Sequence, residues 1–203
     1  MGRVSKEQAR ENRQRVVATA SRLMRQQGTD GVSVADLMKA VGLTHGGFYK
    51  QFTSKEALID EATAHAFGTV EEQLDDGLQA HEGDSAAARG AFIDHYLSPE
   101  HRDDMADGCP TAALAADIAR GPEDSAAHET YVEGVRRFAA RLATADDDGL
   151  ARLSTMVGAL VLARAVKDDP LSDDLLEAAR RQLLPDAGRQ LGAAPPHRSA
   201  PPR

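Results

Sequence analysis

The 203-residue chain has one cysteine, no tryptophan and only 4% aromatic residues. A lone thiol, Cys109, forms no internal disulfide, which removes the disulfide-stapled secreted domains from consideration. No apolar run approaches 18 residues: the longest, Met156 to Ala165, is broken by Gly158 and Arg164, so no membrane-spanning helix is expected. The first ten residues, MGRVSKEQAR, carry no apolar leader, and Lys6 stands where a myristoylation signal needs Ser or Thr. The expected location is cytoplasmic. A G-x-S-x-G elbow, a phosphate-binding glycine loop and an H-E-x-x-H pair are all absent, so no catalytic residues and no cofactor are expected.

What is there points to helices. Of the hydrophobic 41%, 36 residues are alanines, and β-branched and aromatic residues are scarce. The chain reads as all-α, with a core thin enough to invite burial against a second subunit. The net charge of −8 is divided unevenly: residues 1–60 carry +4 and the remainder −12. A basic head on an acidic body suits a protein that meets a polyanion at one end.

Punctuation and periodicity predict about nine helices. The first runs from Lys6 to Gln27, with Val16, Ala20, Leu23 and Met24 on one side and Arg25 among the polar positions. Ser33 opens a second, capped in concert with Asp36, and Gly42 closes it after two turns. Thr44 caps a third short helix to about Gln51, and Thr53-Ser54-Lys55-Glu56 opens a fourth that ends near Leu78. Later helices are expected at 85–97, 110–120, 122–143, 147–167 and 172–191, with a charged loop over 98–108. The division expected is 6–60 (motif about 33–52), 61–191, and a proline-rich disordered tail at 192–203.

Two short helices joined by the tight turn Val41-Gly42-Leu43 form a helix-turn-helix signature. The second begins Thr44-His45-Gly46-Gly47, small enough for the backbone to approach phosphates at the positive end of the helix dipole. Adjacent glycines serve a core helix badly, each costing about 1 kcal/mol against alanine. Tyr49, Lys50 and Lys55 can donate to phosphates or base edges, while Phe48 and Phe52 lock the helix from behind.

Gly31-Val32-Ser33-Val34, Leu37, Gly42-Leu43-Thr44, Gly46, Tyr49, Phe52 and Lys55-Glu56-Ala57-Leu58 resemble the DNA-binding domain of the TetR family of bacterial repressors. The resemblance covers roughly residues 10–60, with Leu37-Met38 where the family usually has Ile-Ala. It implies a homodimeric repressor that binds a palindromic double-stranded operator and is released by a small-molecule or electrophile effector. It also implies DNA contact by Ser33, Thr44, His45, Gly46, Tyr49, Lys50 and Lys55. In the family the last two helices pair as a four-helix bundle, so Leu153, Val157, Leu160, Leu176 and Leu183 are expected at the dimer interface. A charge at Leu160 is then expected to yield monomers.

Cys109 follows the irregular loop and precedes Pro110, which favours a first helical turn. A thiol at a helix N-terminus is favoured as the reactive thiolate. The run Gly108-Cys109-Pro110-Thr111-Ala112-Ala113-Leu114 resembles a TetR subgroup whose cysteine senses electrophiles or oxidants, and the bland alternative is a small buried side chain. A second effector mode is a hydrophobic pocket lined by Phe92, Tyr96, Tyr131, Phe138 and Met156. His95, His101, Asp104 and Cys109 match no known metal spacing, so no metal is expected. The competing reading of the whole chain is an all-α enzyme or interaction scaffold without specific DNA binding.

Overall fold

The computed structural model describes residues 6–184, and among them it contains helices and no strand. The order is α1 (Lys6–Gln27), α2 (Val34–Ala40), α3 (His45–Phe48), α4 (Lys55–Ala80), α5 (Ser85–Tyr96), α6 (Pro99–Asp103), α7 (Pro110–Arg120), α8 (Ala126–Leu142), α9 (Leu150–Ala165) and α10 (Leu171–Leu183). The tail and the last turns expected of the final helix lie outside the described residues.

Local chemistry sets the helix starts. Ser33 accepts from the Asp36 amide at 3.0 Å, as the sequence suggests. On α4 the cap is Ser54, which accepts from the Ala57 amide, so the expected Thr53 box is displaced by one residue. The expected charged loop after Ser98 contains a helix: Ser98 caps it and Pro99 fills the first turn, where its missing N–H costs nothing. Five residues are too few for apolar periodicity to reveal. The expected third helix is also shorter, ending at Phe48 with Tyr49 at its C-cap.

Buried side chains form two clusters. The head cluster joins Val16, Ala20 and Met24 of α1, Leu37 and Met38 of α2, Phe48, Phe52, and Leu58 and Ala62 of α4. The body cluster joins Val70 and Leu74 of α4 with Ile93, Tyr96, Phe138, Leu142, Leu153, Met156, Leu160 and Leu176. Helix α4, 26 residues and so roughly 40 Å long, contributes to both. It packs closely on α8 because Gly134 lies there: a Cβ at that position would sit 2.5 Å from the Phe67 ring. Helix α7 is the second bridge, with Cys109 at its N-cap in the body cluster and Leu114 in the head cluster.

The residues expected at the dimer interface divide by burial. Leu153, Leu160 and Leu176 are at most 4% exposed and pack inside the chain's own body cluster, while Val157 and Leu183 are half-buried against it. The large apolar side chains that α9 and α10 leave exposed are Leu150, Val161, Leu162 and Leu171. A repeat of leucines marks an apolar stripe without saying whether its own core or a partner covers it.

Candidate nucleic-acid interface and the cavity behind it

The turn between α2 and α3 is built by backbone geometry. Gly42 has φ +71°, which L side chains rarely adopt, and this lets the Leu43 amide donate back to the Met38 carbonyl at 2.8 Å. Leu37 and Met38 are 1% and 0% exposed, so the departure from Ile-Ala is a packing change inside the head.

Helix α3 is anchored by one face. Phe48 is fully buried and stacks on Phe52 at 5.3 Å between centroids, and the Arg13 guanidinium lies 4.4 Å over the Phe52 ring. On the other face Thr44, His45, Gly46, Tyr49 and Lys50 are all exposed. Tyr49 is 64% exposed yet held edge-on by Phe48 at 5.2 Å and His45 at 5.9 Å. A Cβ at Gly46 would meet nothing within 4 Å, so this side of the helix is open. Lys55 is half-buried at the start of α4, and the exposed Ser33 hydroxyl is engaged in capping and in a 2.6 Å bond to Asp36. Apart from Ser33, whose hydroxyl is spoken for, these groups share one accessible end of the head.

Cys109 is buried, 2% exposed, at the α7 N-cap. It lines a cavity of about 170 Å³ with Val70, Gln73, Phe92, Tyr96, His101 and Phe138. Gln73, Phe92 and His95 also line an adjoining pocket of about 330 Å³ between α4 and α5. Of the five residues expected to form a pocket, Phe92, Tyr96 and Phe138 meet around this cavity. Met156 is fully buried in the core, and the Tyr131 hydroxyl donates to the Thr111 carbonyl at 2.8 Å. Burial raises the Tyr131 phenol to about 12, so it stays a donor. His101 is held below its ordinary pKa by burial, and its Nδ1 faces the Tyr96 carbonyl at 2.7 Å, so that nitrogen carries the proton.

Three arginines to which the sequence assigned no contact grip the loop leading to Cys109. Arg25 of α1 is 5% exposed; its Nε donates to the Ala106 carbonyl at 2.7 Å and its Nη1 to Ser21 at 3.0 Å. Arg22 pairs with Asp107. From the opposite side, Arg164 of α9 donates to the carbonyls of Arg102 at 3.0 Å and His101 at 3.1 Å. Burial lowers the pKa of both Arg25 and Arg164, a cost that these carbonyl bonds offset. At the other end of α7, Asp117 accepts from the Thr29 amide at 2.7 Å. The head therefore rests on α7 and its entry loop at two points.

A basic head presenting a short, open helix behind a tight turn defines a helix-turn-helix DNA-binding protein. Comparisons with known proteins agree. Residues 16–62 match the family model for bacterial regulatory proteins of the tetR family. The HTH-type transcriptional repressor NemR of Escherichia coli (strain K12) is 26% identical over 146 residues, 72% of each chain. The crystal structure of the reduced form of E. coli NemR superposes with a TM-score of 0.73 at 21% identity, covering 86% of this chain and 96% of that one. A TetR transcriptional regulator from Chloroflexus aurantiacus reaches 0.70 at 28% identity, covering 87% and 94%. Residues 16–62 therefore carry a DNA-binding domain of the tetR family, and the chain as a whole is similar to DNA-binding transcriptional regulators.

Proposed function

We propose that the chain is a cytoplasmic homodimeric repressor that leaves a two-fold symmetric operator when the thiol of Cys109 reacts with an electrophile. Two copies of α3 would enter successive major grooves, which requires half-sites one helical turn or a multiple apart. Thr44, His45, Gly46, Tyr49, Lys50 and Lys55 are the contacts assigned, with Ser33 serving the supporting helix as its cap. The repressor sense follows the name of the NemR relative. Dimerisation is assigned to the outer face of α9 and α10, where Leu150, Val161, Leu162 and Leu171 stand exposed. The division into a head of about 6–60 and a sensing and pairing body from 61 is retained, with α4 and α7 crossing between them. No catalytic residue is assigned.

One observation carries the reading: the residue before the Cys109–Pro110 helix start belongs to a loop bonded to α1 of the head. An adduct on a thiol buried to 2% exposure fills the small cavity beside it and, tied to the sulfur, presses on the α7 N-cap. Growth of the side chain displaces the first turn of α7 and the Ala106–Asp107 segment, loosening Arg22 and Arg25 and re-aiming the head. Operator binding of Cys109→Ser is the test. The variant should bind as tightly as the parent and stay bound under an electrophile that releases the parent. Equal release from both proteins would refute the sensing assignment.

A further inference from the structure

The cavity that Cys109 lines contains one buried hydroxyl whose polar neighbour is the thiol itself. Tyr96 is 2% exposed and lines the same cavity as the thiol, and its hydroxyl has no hydrogen-bond partner of normal geometry, only the Cys109 sulfur nearby. Buried hydroxyls are ordinarily satisfied, and one left with only a sulfur nearby in a native fold calls for an explanation. Burial, with Cys109 beside it, raises its pKa well above 10, so the group remains a donor throughout the physiological range. A cavity of about 150 Å³ suffices for a benzene ring; this one, at about 170 Å³, takes a six-membered ring and little more. Its apolar wall is Val70, Phe92 and Phe138, and three carboxylates, Glu100, Asp104 and Asp107, stand along its lining. An uncharged ring is favoured there over an anion. The adjoining pocket between α4 and α5 shares Gln73, Phe92 and His95 with it.

We propose that Tyr96 is the specificity-determining donor of this site: it bonds the carbonyl oxygen of a small, uncharged, conjugated carbonyl compound while Cys109 adds to the β-carbon. The inference rests on the reading of Cys109 as the sensor and adds the group that selects the reagent. In the addition, the thiol proton departs to solvent and the sulfur forms a bond to the β-carbon. The C=C π pair moves toward the carbonyl, and the resulting enolate oxygen is held by the Tyr96 hydroxyl. Protonation of the α-carbon from water completes the addition of S–H across the double bond, with no oxidant or reductant consumed. The donor is worth most when charge gathers on that oxygen.

The test compares two reagents on the full-length protein and on Tyr96→Phe, which keeps the ring and removes only the oxygen. Labelling of Cys109 is followed by intact mass with 2-cyclohexen-1-one, a conjugated carbonyl, and with methyl methanethiosulfonate, which has no carbonyl. Tyr96→Phe should slow the enone by about tenfold or more, the weight of one hydrogen bond to a charged oxygen. Its thiosulfonate rate should stay within about twofold, which also reports that the cavity and thiol are intact. Equal slowing with both reagents, or no slowing with either, would overturn the role of Tyr96 while leaving Cys109 a sensor. A parent protein that releases DNA with Cys109 unlabelled would overturn both.

Discussion

Leu160 and Leu162 show how much two neighbouring positions on one helix can differ. Leu160 is fully buried against the chain's own core, and Leu162 is 55% exposed. A glutamate at 160 places a carboxylate among apolar side chains and should cost on the order of 3–5 kcal/mol, seen as a collapsed melting temperature. A glutamate at 162 should leave the fold within about 0.5 kcal/mol and instead shift the sedimentation profile from dimer to monomer. A normally melting Leu160→Glu, or an unchanged dimer for Leu162→Glu, contradicts the placement. Because α9 is apolar on both sides, the sequence pattern does not distinguish inner from outer, and Leu160 lies on the inner one. Tyr96 was legible as a pocket residue, but the surroundings of its hydroxyl were not, since only three-dimensional packing decides what surrounds an oxygen. Arg25 was placed only among the polar positions of α1, because nothing in its neighbourhood along the chain announces the Ala106 carbonyl, 81 residues away.

Helix starts were well marked where a hydroxyl caps them, as at Ser33, or where proline fills the first turn, as at Cys109-Pro110. Short elements were not: α6 is hidden in a charged stretch, and α3 ends earlier than its sequence suggests. The connection before α9 offers a test of one such local device. Asp147 accepts from Arg152, from Thr144 Oγ1 at 2.8 Å and from the Gly149 amide at 2.8 Å. These bonds, Arg152 first, hold its carboxyl down to about 2 from an ordinary 3.8. Because the folded value lies below the unfolded one, the stabilisation is complete above about pH 4 and disappears as pH falls through about 2. Amide chemical shifts over residues 144–150 should therefore hold steady to about pH 3 and move only below it. Asp147→Asn should produce a comparable displacement at neutral pH; a loop that titrates near pH 4 contradicts the assignment.

Taken whole, the molecule is a basic head joined to an acidic body through α4 and α7. The acidic body disfavours wrapping of duplex and directs contact to one end. The two clusters of buried side chains are separate, and beside α4 the head meets the body through Arg22, Arg25 and Thr29 against the Asp107 loop and α7, through Leu114 of α7 in the head cluster, and through Asp60 and Tyr131 at α8. Such a joint can shift without unfolding either side, which is what a releasable DNA reader requires. The motif, the head and the helical body were legible in the sequence because glycine, capping and periodicity are local signals. The joint was not, because it is made by residues some 70–90 positions apart.

The account stands or falls on whether α3 reads DNA. Binding of the parent, Tyr49→Ala and Lys50→Ala to a duplex selected from a random pool, measured by fluorescence anisotropy over a series of salt concentrations, tests it most directly. The parent should prefer the selected duplex over random DNA by about 10³-fold or more, with log affinity falling linearly in log salt. Both variants, altered at exposed positions, should keep the parent's melting temperature and bind at least about tenfold more weakly. Equal affinity of the parent for selected and random duplex, or undiminished binding by both variants, would contradict the account.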